Sequence, residues 1–378
     1  MKRFKKYFKR MLLTVLSIIG VLILTYLIFV NFYPSFGGKI TKELQKEYAQ
    51  SKNHNEEQFV NEKDVPKDLS FVETIGIMRK FFFTKVPNGS PEKPLNVQKI
   101  DSTTIANHNG GTRLIWFGHS AFLLQINGKN ILIDPMLSDV PAPHPWLGGG
   151  RFSKELPIAI AKIPKLDAVL ISHDHYDHLD YESIRKLKDK VGHFYVPLGV
   201  GVHLKAWGVP NEAILELDWW QEATFSDLKF VCTPAQHFSG RRFNDRQSTL
   251  WSSWVIQSTT ESIFFSGDSG YSDHFTTIGE KYGPFDFAMM ECGQYNESWP
   301  DIHMFPEETV QAGIDVKAKY IMPIHWGGFK LSLHSWTDPV ERATKKSETS
   351  DINLITPRIG ESIFLDELSV HNNTWWSN

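Results

Sequence analysis

The feature that most constrains this chain is a six-residue string that holds several potential metal ligands. HDHYDH, at positions 173–178, follows the apolar run LDAVLIS, which has the composition of a buried strand. Residues two apart in extended backbone point the same way, so His173 and His175 can hold one cation together. Asp177 and His178 follow where the chain turns and can reach a second cation beside the first. Imidazole and carboxylate groups suit zinc, so the string predicts a metal site at a strand end.

Three further potential ligands lie downstream, and each follows an apolar run. LKFVCTPAQ leads into His237, SIFFSG leads into Asp268, and YIMPI leads into His325. Functional side chains commonly project from the ends of a rigid scaffold's elements. We therefore predict that seven side chains converge around two neighbouring cations: His173, His175, Asp177, His178, His237, Asp268 and His325.

From Thr112 onward, many short β-rich runs alternate with fewer helical stretches. RLIWF, AFLLQI and NILID are the first of these runs, and Asn127-Gly128 between the second and third is a strong hairpin signal. Helices are predicted at YESIRKLKDK and at PEETVQAGIDVKA, where Pro306 suits the first helical position. This pattern favours a layered α/β domain that contains two sheets.

The N-terminus combines a basic flank with a long uncharged run. Residues 1–10 carry six Lys and Arg, and residues 11–30 carry no charge. Twenty helical residues rise about 30 Å, the thickness of a bilayer's hydrocarbon core. A cleaved signal peptide is the main alternative, but its apolar region is about 7–15 residues long and ends at a small-residue cleavage site. NFYPSFGG offers no clear site of that kind, so we predict an uncleaved single-pass anchor with the catalytic domain outside the cytoplasm.

The remaining composition defines the domains and excludes some functions. Residues 31–111 are polar and mixed in charge, and we predict a tether and N-terminal extension that packs on a catalytic domain at 112–378. A net charge of −3 gives no long-range attraction to phosphates, which disfavours general nucleic-acid binding. Two cysteines are too few for a disulfide framework or a thiolate zinc site. Cys232 and Cys292 are predicted to be buried thiols, with a single bridge between them left open.

The order of the motifs resembles a known superfamily. HDHYDH, PAQHF, SGDSGY and PIHWGG resemble the metallo-β-lactamase superfamily. WFGHSAF, ELDWW, TPAQHF and IHWGGF resemble its branch of N-acyl-phosphatidylethanolamine-hydrolysing phospholipase D and bacterial relatives, over roughly residues 112–365. The resemblance implies an αββα four-layer sandwich, with the metals at the edge of the two sheets. It also suggests a homodimer, whereas the basic anchor and the tether are not part of the pattern.

The resemblance also implies a distribution of ligands between two zinc ions. One zinc would be held by His173, His175 and His237. The second would be held by Asp177, His178 and His325, and Asp268 would bridge both.

These features together predict a membrane-anchored hydrolase of the phospholipase D type. We expect a hydroxide between the two metals to attack the phosphorus of a phospholipid or another small phosphodiester. Asp177 and Asp268 would belong to the catalytic centre. His303 matches a histidine of the branch and would contact substrate phosphate or protonate the leaving group.

Two other classes of function stay open. One is a different hydrolase on the same scaffold, such as a lactonase, a β-lactamase or a cyclic-nucleotide phosphodiesterase, because fold does not settle substrate. The other is a non-catalytic membrane protein that keeps metals for structure. A complete set of ligands argues against this class, because structural zinc sites are normally closed and mononuclear.

Four residues outside the ligand set carry weaker expectations. Asp134, at a strand end, either orients a ligand histidine or has a plain structural role. His119 is expected to be a structural or supporting residue. Trp375 and Trp376 are expected to touch a membrane interface or to belong to a disordered tail.

Overall fold

The computed structural model describes residues 2–63, 65, 71–368 and 374–377. The other positions, which include a few of the predicted extension and of the predicted catalytic domain, lie outside the described residues. The strands are β1 (Arg113–Trp116), β2 (Phe122–Ile126), β3 (Lys129–Ile133), β4 (Leu166–Leu170), β5 (Val191–Pro197), β6 (Ile214–Leu217), β7 (Glu222–Phe225), β8 (Leu228–Thr233), β9 (Ser253–Gln257), β10 (Ser262–Phe265), β11 (Phe287–Glu291), β12 (Tyr320–Ile324), β13 (Asn353–Leu354) and β14 (Ser362–Phe364). The α-helices are α1 (Lys2–Phe32), α2 (Lys42–Tyr48), α3 (Phe71–Phe83), α4 (Ser102–Ala106), α5 (Tyr181–Leu187), α6 (Gly201–Ala206), α7 (His274–Tyr282), α8 (Pro306–Asp315) and α9 (Asp338–Ser347).

The strands form two seven-stranded sheets that face each other. Their orders are β14-β1-β2-β3-β4-β5-β6 and β13-β12-β11-β10-β9-β8-β7. Alternation along the strands divides the side chains between layers. In β10, Ile263 and Phe265 enter the core between the sheets, whereas Phe264 packs outward with Phe275 of α7.

Helices cover both outer faces of this pair of sheets. Ile184 of α5 and Leu204 of α6 pack on the first sheet. Phe275 of α7, Val310 of α8 and Ala343 of α9 pack on the second. The order of layers is therefore αββα, which confirms the predicted four-layer sandwich.

The strand directions explain where functional residues gather. β3 pairs with β4 in parallel, and in the other sheet β10, β11 and β12 are parallel neighbours. In such sheets, ligands bind beyond the carboxyl ends of the strands. The residues that follow these ends are Asp134 after β3, His173 after β4, Asp268 after β10 and His325 after β12.

The N-terminal region contains one long helix and a segment that docks on the sandwich. Over Arg3–Phe32, α1 is long and apolar enough to cross a membrane, and its apolar window is not buried against the rest of the protein. Farther along, the Phe59 side chain is fully buried, and the Tyr48 hydroxyl donates to the Glu216 carboxylate at 2.8 Å. The segment that follows α1 therefore has specific contacts with the sandwich.

The expectation for the terminal tryptophans was wrong. Trp375 and Trp376 are both buried, and the Trp375 ring stacks on Trp326 with centroids 5.5 Å apart. The Trp375 indole N–H also donates to the Thr356 carbonyl at 3.2 Å. The apolar surface of Trp326 gives the end of the chain a place to bury these rings, which local sequence does not reveal. Elsewhere in the core, Cys232 and Cys292 are buried free thiols, as predicted.

Candidate metal centre

The first group of candidate ligands consists of three histidines and one aspartate. His175 Nδ1 lies 2.9 Å from His173 Nε2 and 3.2 Å from His237 Nε2. Asp268 Oδ2 lies 3.9 Å from His173 Nε2 and 3.8 Å from His237 Nε2. One donor atom from each of the four side chains therefore points into the same small space.

The second group lies beside the first and shares Asp268 with it. Asp177 Oδ2 lies 3.6 Å from His178 Nε2 and 3.8 Å from His325 Nε2. Asp268 Oδ2 lies 3.1 Å from His178 Nε2, and Asp268 Oδ1 lies 3.1 Å from His325 Nδ1. The structure thus brings all seven predicted ligands together, with Asp268 between the two groups.

The donor atoms fit a metal better than they fit one another. A neutral imidazole has one N–H, so nitrogens that face one another cannot all be satisfied by hydrogen bonds. His178 Nε2 and Asp268 Oδ1 are buried and make no hydrogen bond. The separations of 2.9–3.9 Å bracket the edge of about 3.3 Å expected for a tetrahedron of ligands about 2.0 Å from its centre. The cluster is a metal-binding site.

Burial and charge keep most of these histidines in the form that binds metal. Burial and the neighbouring imidazoles lower the pKa of His173 and His237 well below the ordinary value. The same causes lower the pKa of His325, although Asp177 opposes them. Metals bind the neutral ring, so no proton has to be removed from these side chains first.

His178 and Asp268 have shifts of a different kind. Burial by itself lowers the pKa of His178, but the carboxylates of Asp268, Asp177 and Asp134 together raise it well above the ordinary value. Burial also raises the pKa of Asp268 to about 6. The shift of His178 reflects the buried carboxylates around it and that of Asp268 reflects the cost of burying its charge; a bound cation would offset both.

Asp134 fixes the orientation of His178. Asp134 Oδ2 lies 2.7 Å from His178 Nδ1 and accepts from the Ser172 hydroxyl at 2.5 Å. Asp134 Oδ1 accepts from the Ser172 backbone N–H at 2.7 Å. A carboxylate on the far nitrogen of a ligand histidine holds the ring in place and increases its basicity.

His119 lies closer to the site than the sequence suggested. Its Nε2 is 2.9 Å from Asp177 Oδ2, and it forms a potential ligand group with Asp177, His178 and His325. His119 Nδ1 is buried without a hydrogen-bond partner. Its place just after the strand RLIWF is a signal of the same kind that identified the other ligands.

His303 lies over the centre and is held by a glutamate that sequence reasoning missed. The His303 ring is 5.1 Å from the His237 ring and nearly parallel to His325 at 5.3 Å. His303 Nδ1 lies 3.2 Å from Glu291 Oε1, while Glu291 Oε2 accepts from the Met304 N–H at 2.9 Å. Burial raises the pKa of Glu291 well above its ordinary value. The signal for Glu291 was its position at the end of β11.

The backbone is strained where it delivers these side chains. His119, Asp134 and His325 have φ values of 56°, 39° and 65°, a region that non-glycine residues seldom adopt. Such strain clusters at functional sites and persists only where the surroundings enforce it. A Cβ at Gly293 would lie 1.9 Å from the His325 carbonyl oxygen, so the position requires glycine.

A buried histidine–aspartate cluster at one edge of an αββα sandwich defines a metal-dependent hydrolase. Residues 129–326 match the model of the beta-lactamase superfamily domain, and the chain belongs to the metallo-β-lactamase superfamily.

Its relatives include both uncharacterized proteins and phospholipases. An uncharacterized protein of Mycobacterium tuberculosis is 43% identical over 282 residues, which cover 74% of this chain and 72% of that protein. The mitochondrial N-acyl-phosphatidylethanolamine-hydrolyzing phospholipase D of Saccharomyces cerevisiae is 33% identical, over 68% of this chain and 57% of its own. N-acyl-phosphatidylethanolamine-hydrolyzing phospholipase D 1 of Caenorhabditis elegans is 28% identical, over 70% and 81%. The solved structure of Igni18, a metallo hydrolase of Ignicoccus hospitalis, is similar in fold, with a TM-score of 0.51 at 22% identity over 67% of this chain and 98% of Igni18.

Proposed function

We propose that this protein is a membrane-anchored phospholipase D-like phosphodiesterase that acts on N-acyl-phosphatidylethanolamine or a related phospholipid. The observation that carries the proposal is the convergence of two ligand groups on Asp268. Similarity to two phospholipases that hydrolyse N-acyl-phosphatidylethanolamine supports the substrate class. Cleavage would add water to phosphorus, break the bond to the N-acylethanolamine oxygen and release phosphatidic acid.

We assign the site to two zinc ions, because an imidazole-rich set with a few carboxylates suits zinc. His173, His175 and His237 would hold one ion. Asp177, His178 and His325 would hold the other, and Asp268 would contact both. When bound, a pair of such ions supplies an activated water at neutral pH and neutralises charge on the phosphoryl group.

The residues around the ligands would orient the substrate and manage its protons. Glu291 engages His303 Nδ1, which leaves Nε2 as the ring nitrogen for the substrate. We assign His303 to the phosphoryl group or to the departing oxygen, which needs a proton when the bond to phosphorus breaks. Asp134 keeps His178 turned toward Asp268.

The proposed topology follows from charge and from α1. Residues 11–30 would cross the membrane, with the basic flank 1–10 in the cytoplasm. The extension at 31–111 and the catalytic domain at 112–378 would then lie on the extracytoplasmic side. The homodimer implied by resemblance stays a prediction.

Hydrolysis assays on the full-length protein in detergent micelles test this proposal. We expect phosphatidic acid to be released from N-acyl-phosphatidylethanolamine and zinc to copurify with the chain. Hydrolysis of lactones or cyclic nucleotides alone would assign another reaction to the same scaffold. Bound zinc without turnover of any of these substrates would indicate a structural role and overturn the proposal.

A further inference from the structure

Two surface loops of the catalytic sandwich lie against the last two turns of α1. In the first loop, the His144 ring is 6.5 Å from the Phe29 ring and 5.3 Å from the Tyr33 ring. In the second, the Phe243 ring is 6.3 Å from the Tyr26 ring. Both loops therefore contact the helix near the end of its apolar run.

Hydrogen bonds fix both loops to this part of the chain. The Ser35 hydroxyl donates to the Pro143 carbonyl at 2.5 Å, which ties the first loop to the residues just after α1. Arg242 Nε donates to the Val30 carbonyl at 3.2 Å, and Arg242 Nη2 donates to the Gly37 carbonyl at 3.0 Å. Hydrogen bonds, as well as contacts between aromatic rings, therefore define the position of each loop along the helix.

Each loop presents a large apolar side chain to the surroundings. Phe243 is 93% exposed and Trp146 is 90% exposed, the highest values for large hydrophobic side chains in the part of the chain that the structure describes. Leu147, next to Trp146, is 62% exposed. Exposed apolar groups that cluster in one region of a surface mark a contact with a partner or a membrane.

The positions of these exposed side chains along α1 show that the contact is with a membrane. Tyr26 precedes Val30, the last residue of the uncharged run, by four positions, or about 6 Å of helix rise. Phe243, beside Tyr26, therefore lies at a depth where the apolar run must be surrounded by lipid. The Trp146 ring is 4.8 Å from His144, which contacts Phe29 and Tyr33. This is the level of the membrane interface, where tryptophan is enriched.

We infer that the catalytic domain binds the lipid bilayer directly, by inserting Trp146, Leu147 and Phe243 beside the end of α1. The inference rests on the membrane anchor of the proposed function. A bilayer is the occupant because the same lipids that surround the end of α1 reach both loops.

This contact would also set the position of the metal centre. The loop that carries Phe243 continues to Arg246, whose guanidinium lies 3.9 Å from the centre of the Phe238 ring. The Phe238 ring is 4.5 Å from the ring of His175, a candidate ligand. The backbone of this loop and two ring contacts therefore connect the membrane-inserting side chain to the metal centre, and the contact would hold the site close to the lipid surface.

Site-directed fluorescence on the full-length protein tests the inference. W146C, F243C and two controls would each carry a bimane label, in vesicles of phosphatidylcholine and phosphatidylglycerol. Cys232 and Cys292 are buried, so the introduced thiol is the one that reacts. The first control is T259C, because Thr259 is exposed in the turn between β9 and β10, at the edge of the sheet opposite the metal centre. The second, I19C, reports whether α1 is inserted.

Lipids that carry a nitroxide near the glycerol backbone should quench the labels at 146 and 243 and leave the label at 259 bright. Lipids with the nitroxide deep in the acyl chain should quench the label at 19. If the label at 19 is quenched while those at 146 and 243 stay as bright as that at 259, the inference is overturned and the anchor stands. If the label at 19 is not quenched, the inference falls together with the anchor, while hydrolysis in micelles still tests the proposed reaction separately.

Discussion

The carboxylate of Asp134 lies 2.7 Å from Nδ1 of His178, on the side of the ring that faces away from the candidate metal centre. The opposite nitrogen, His178 Nε2, lies 3.1 Å from Asp268 Oδ2. The direction of a candidate ligand is thus set by a residue 44 positions earlier in the chain, at the end of β3. The metal centre depends on the packing of β3 against β4 as well as on its ligands.

Replacing Asp134 should weaken metal binding while the fold is retained. In D134N the side chain keeps one oxygen acceptor and has an NH2 donor in place of the other, so the His178 ring loses its fixed orientation. Loss of such an orienting group lowers metal affinity about 10–100-fold. Zinc titration measures this affinity. D167N is the matched control, because Asp167 lies at the opposite end of β4 and its carboxylate accepts from the Asn130 N–H. Equal zinc affinities in the two variants would contradict the assigned role.

Replacing Asp268 should abolish hydrolysis. D268N keeps the size of the side chain but removes the carboxylate that lies 3.1 Å from both His178 Nε2 and His325 Nδ1. We expect loss of one or both metals and of turnover, with little change in the thermal unfolding of the metal-free protein. Turnover close to that of the unmodified protein would refute the placement of Asp268 between the two ligand groups.

His303 should affect turnover without affecting metal content. If it contacts the substrate and is not a ligand, H303A should lower kcat about 100-fold or more, the usual contribution of a positioned acid or base. E291Q should lower kcat by less, because Gln keeps a partner for His303 Nδ1. H193A, at an exposed position on β5, is the control for histidine removal. Zinc loss in H303A would instead place His303 among the ligands, together with Asp268 and His325.

Arg241 should couple the segment after α1 to the metal-binding loop, which is the loop between β4 and α5 that carries the string HDHYDH. Its buried guanidinium donates to the Ser35 carbonyl at 2.6 and 2.9 Å and to the Leu179 carbonyl at 2.9 Å, and it also bonds the Asp174 carbonyl. The guanidinium also lies 4.0 Å from the centre of the Tyr176 ring. R241M should therefore lower both stability, by about 2–4 kcal/mol, and zinc affinity.

Urea unfolding and zinc titration separate these two effects of Arg241. R242M is the matched control, because Arg242 bonds Val30, Gly37, Gly38 and Asp245, and none of these bonds within the described residues reaches the metal-binding loop. R242M should lose stability and keep its zinc affinity. Zinc affinity that falls equally in both variants would mean that general destabilisation, not the link to Asp174, explains the effect.

A charge at either membrane-facing loop should impair hydrolysis on vesicles only. W146D and F243D each place a carboxylate at the proposed lipid interface, where desolvation of the charge is costly. The rate on substrate in vesicles should fall, while the rate on substrate in detergent micelles should stay unchanged. A fall of the same size in both assays would point to damage within the catalytic domain instead.

The convergence of the predicted ligands could be expected from the sequence, because each is a ligand-type residue at or just after the end of an apolar run. His173, His237, Asp268 and His325 all follow strands whose carboxyl ends meet at one edge. Glu291 has the same position on β11, but its role depends on contact with His303, twelve residues away, and no local pattern reveals that contact.

Residues whose environment comes from distant parts of the chain were harder to predict. His119 meets Asp177, which is 58 positions later in the sequence, only after the chain folds back. Trp375 and Trp376 were expected at a membrane interface or in a disordered tail, because the apolar surface of Trp326 that buries them is created by the folded sandwich. Local sequence propensity predicts the helices and strands well, whereas contacts between them determine the environments of these three residues.

The most direct test of the metal centre is an anomalous difference map at the zinc absorption edge, from crystals of the zinc-loaded protein. Two peaks about 3.5–4 Å apart are expected on either side of the Asp268 carboxylate. One peak should lie among His173, His175 and His237, and the other among Asp177, His178 and His325. A single peak, or peaks outside these two groups, would contradict the proposed two-metal centre.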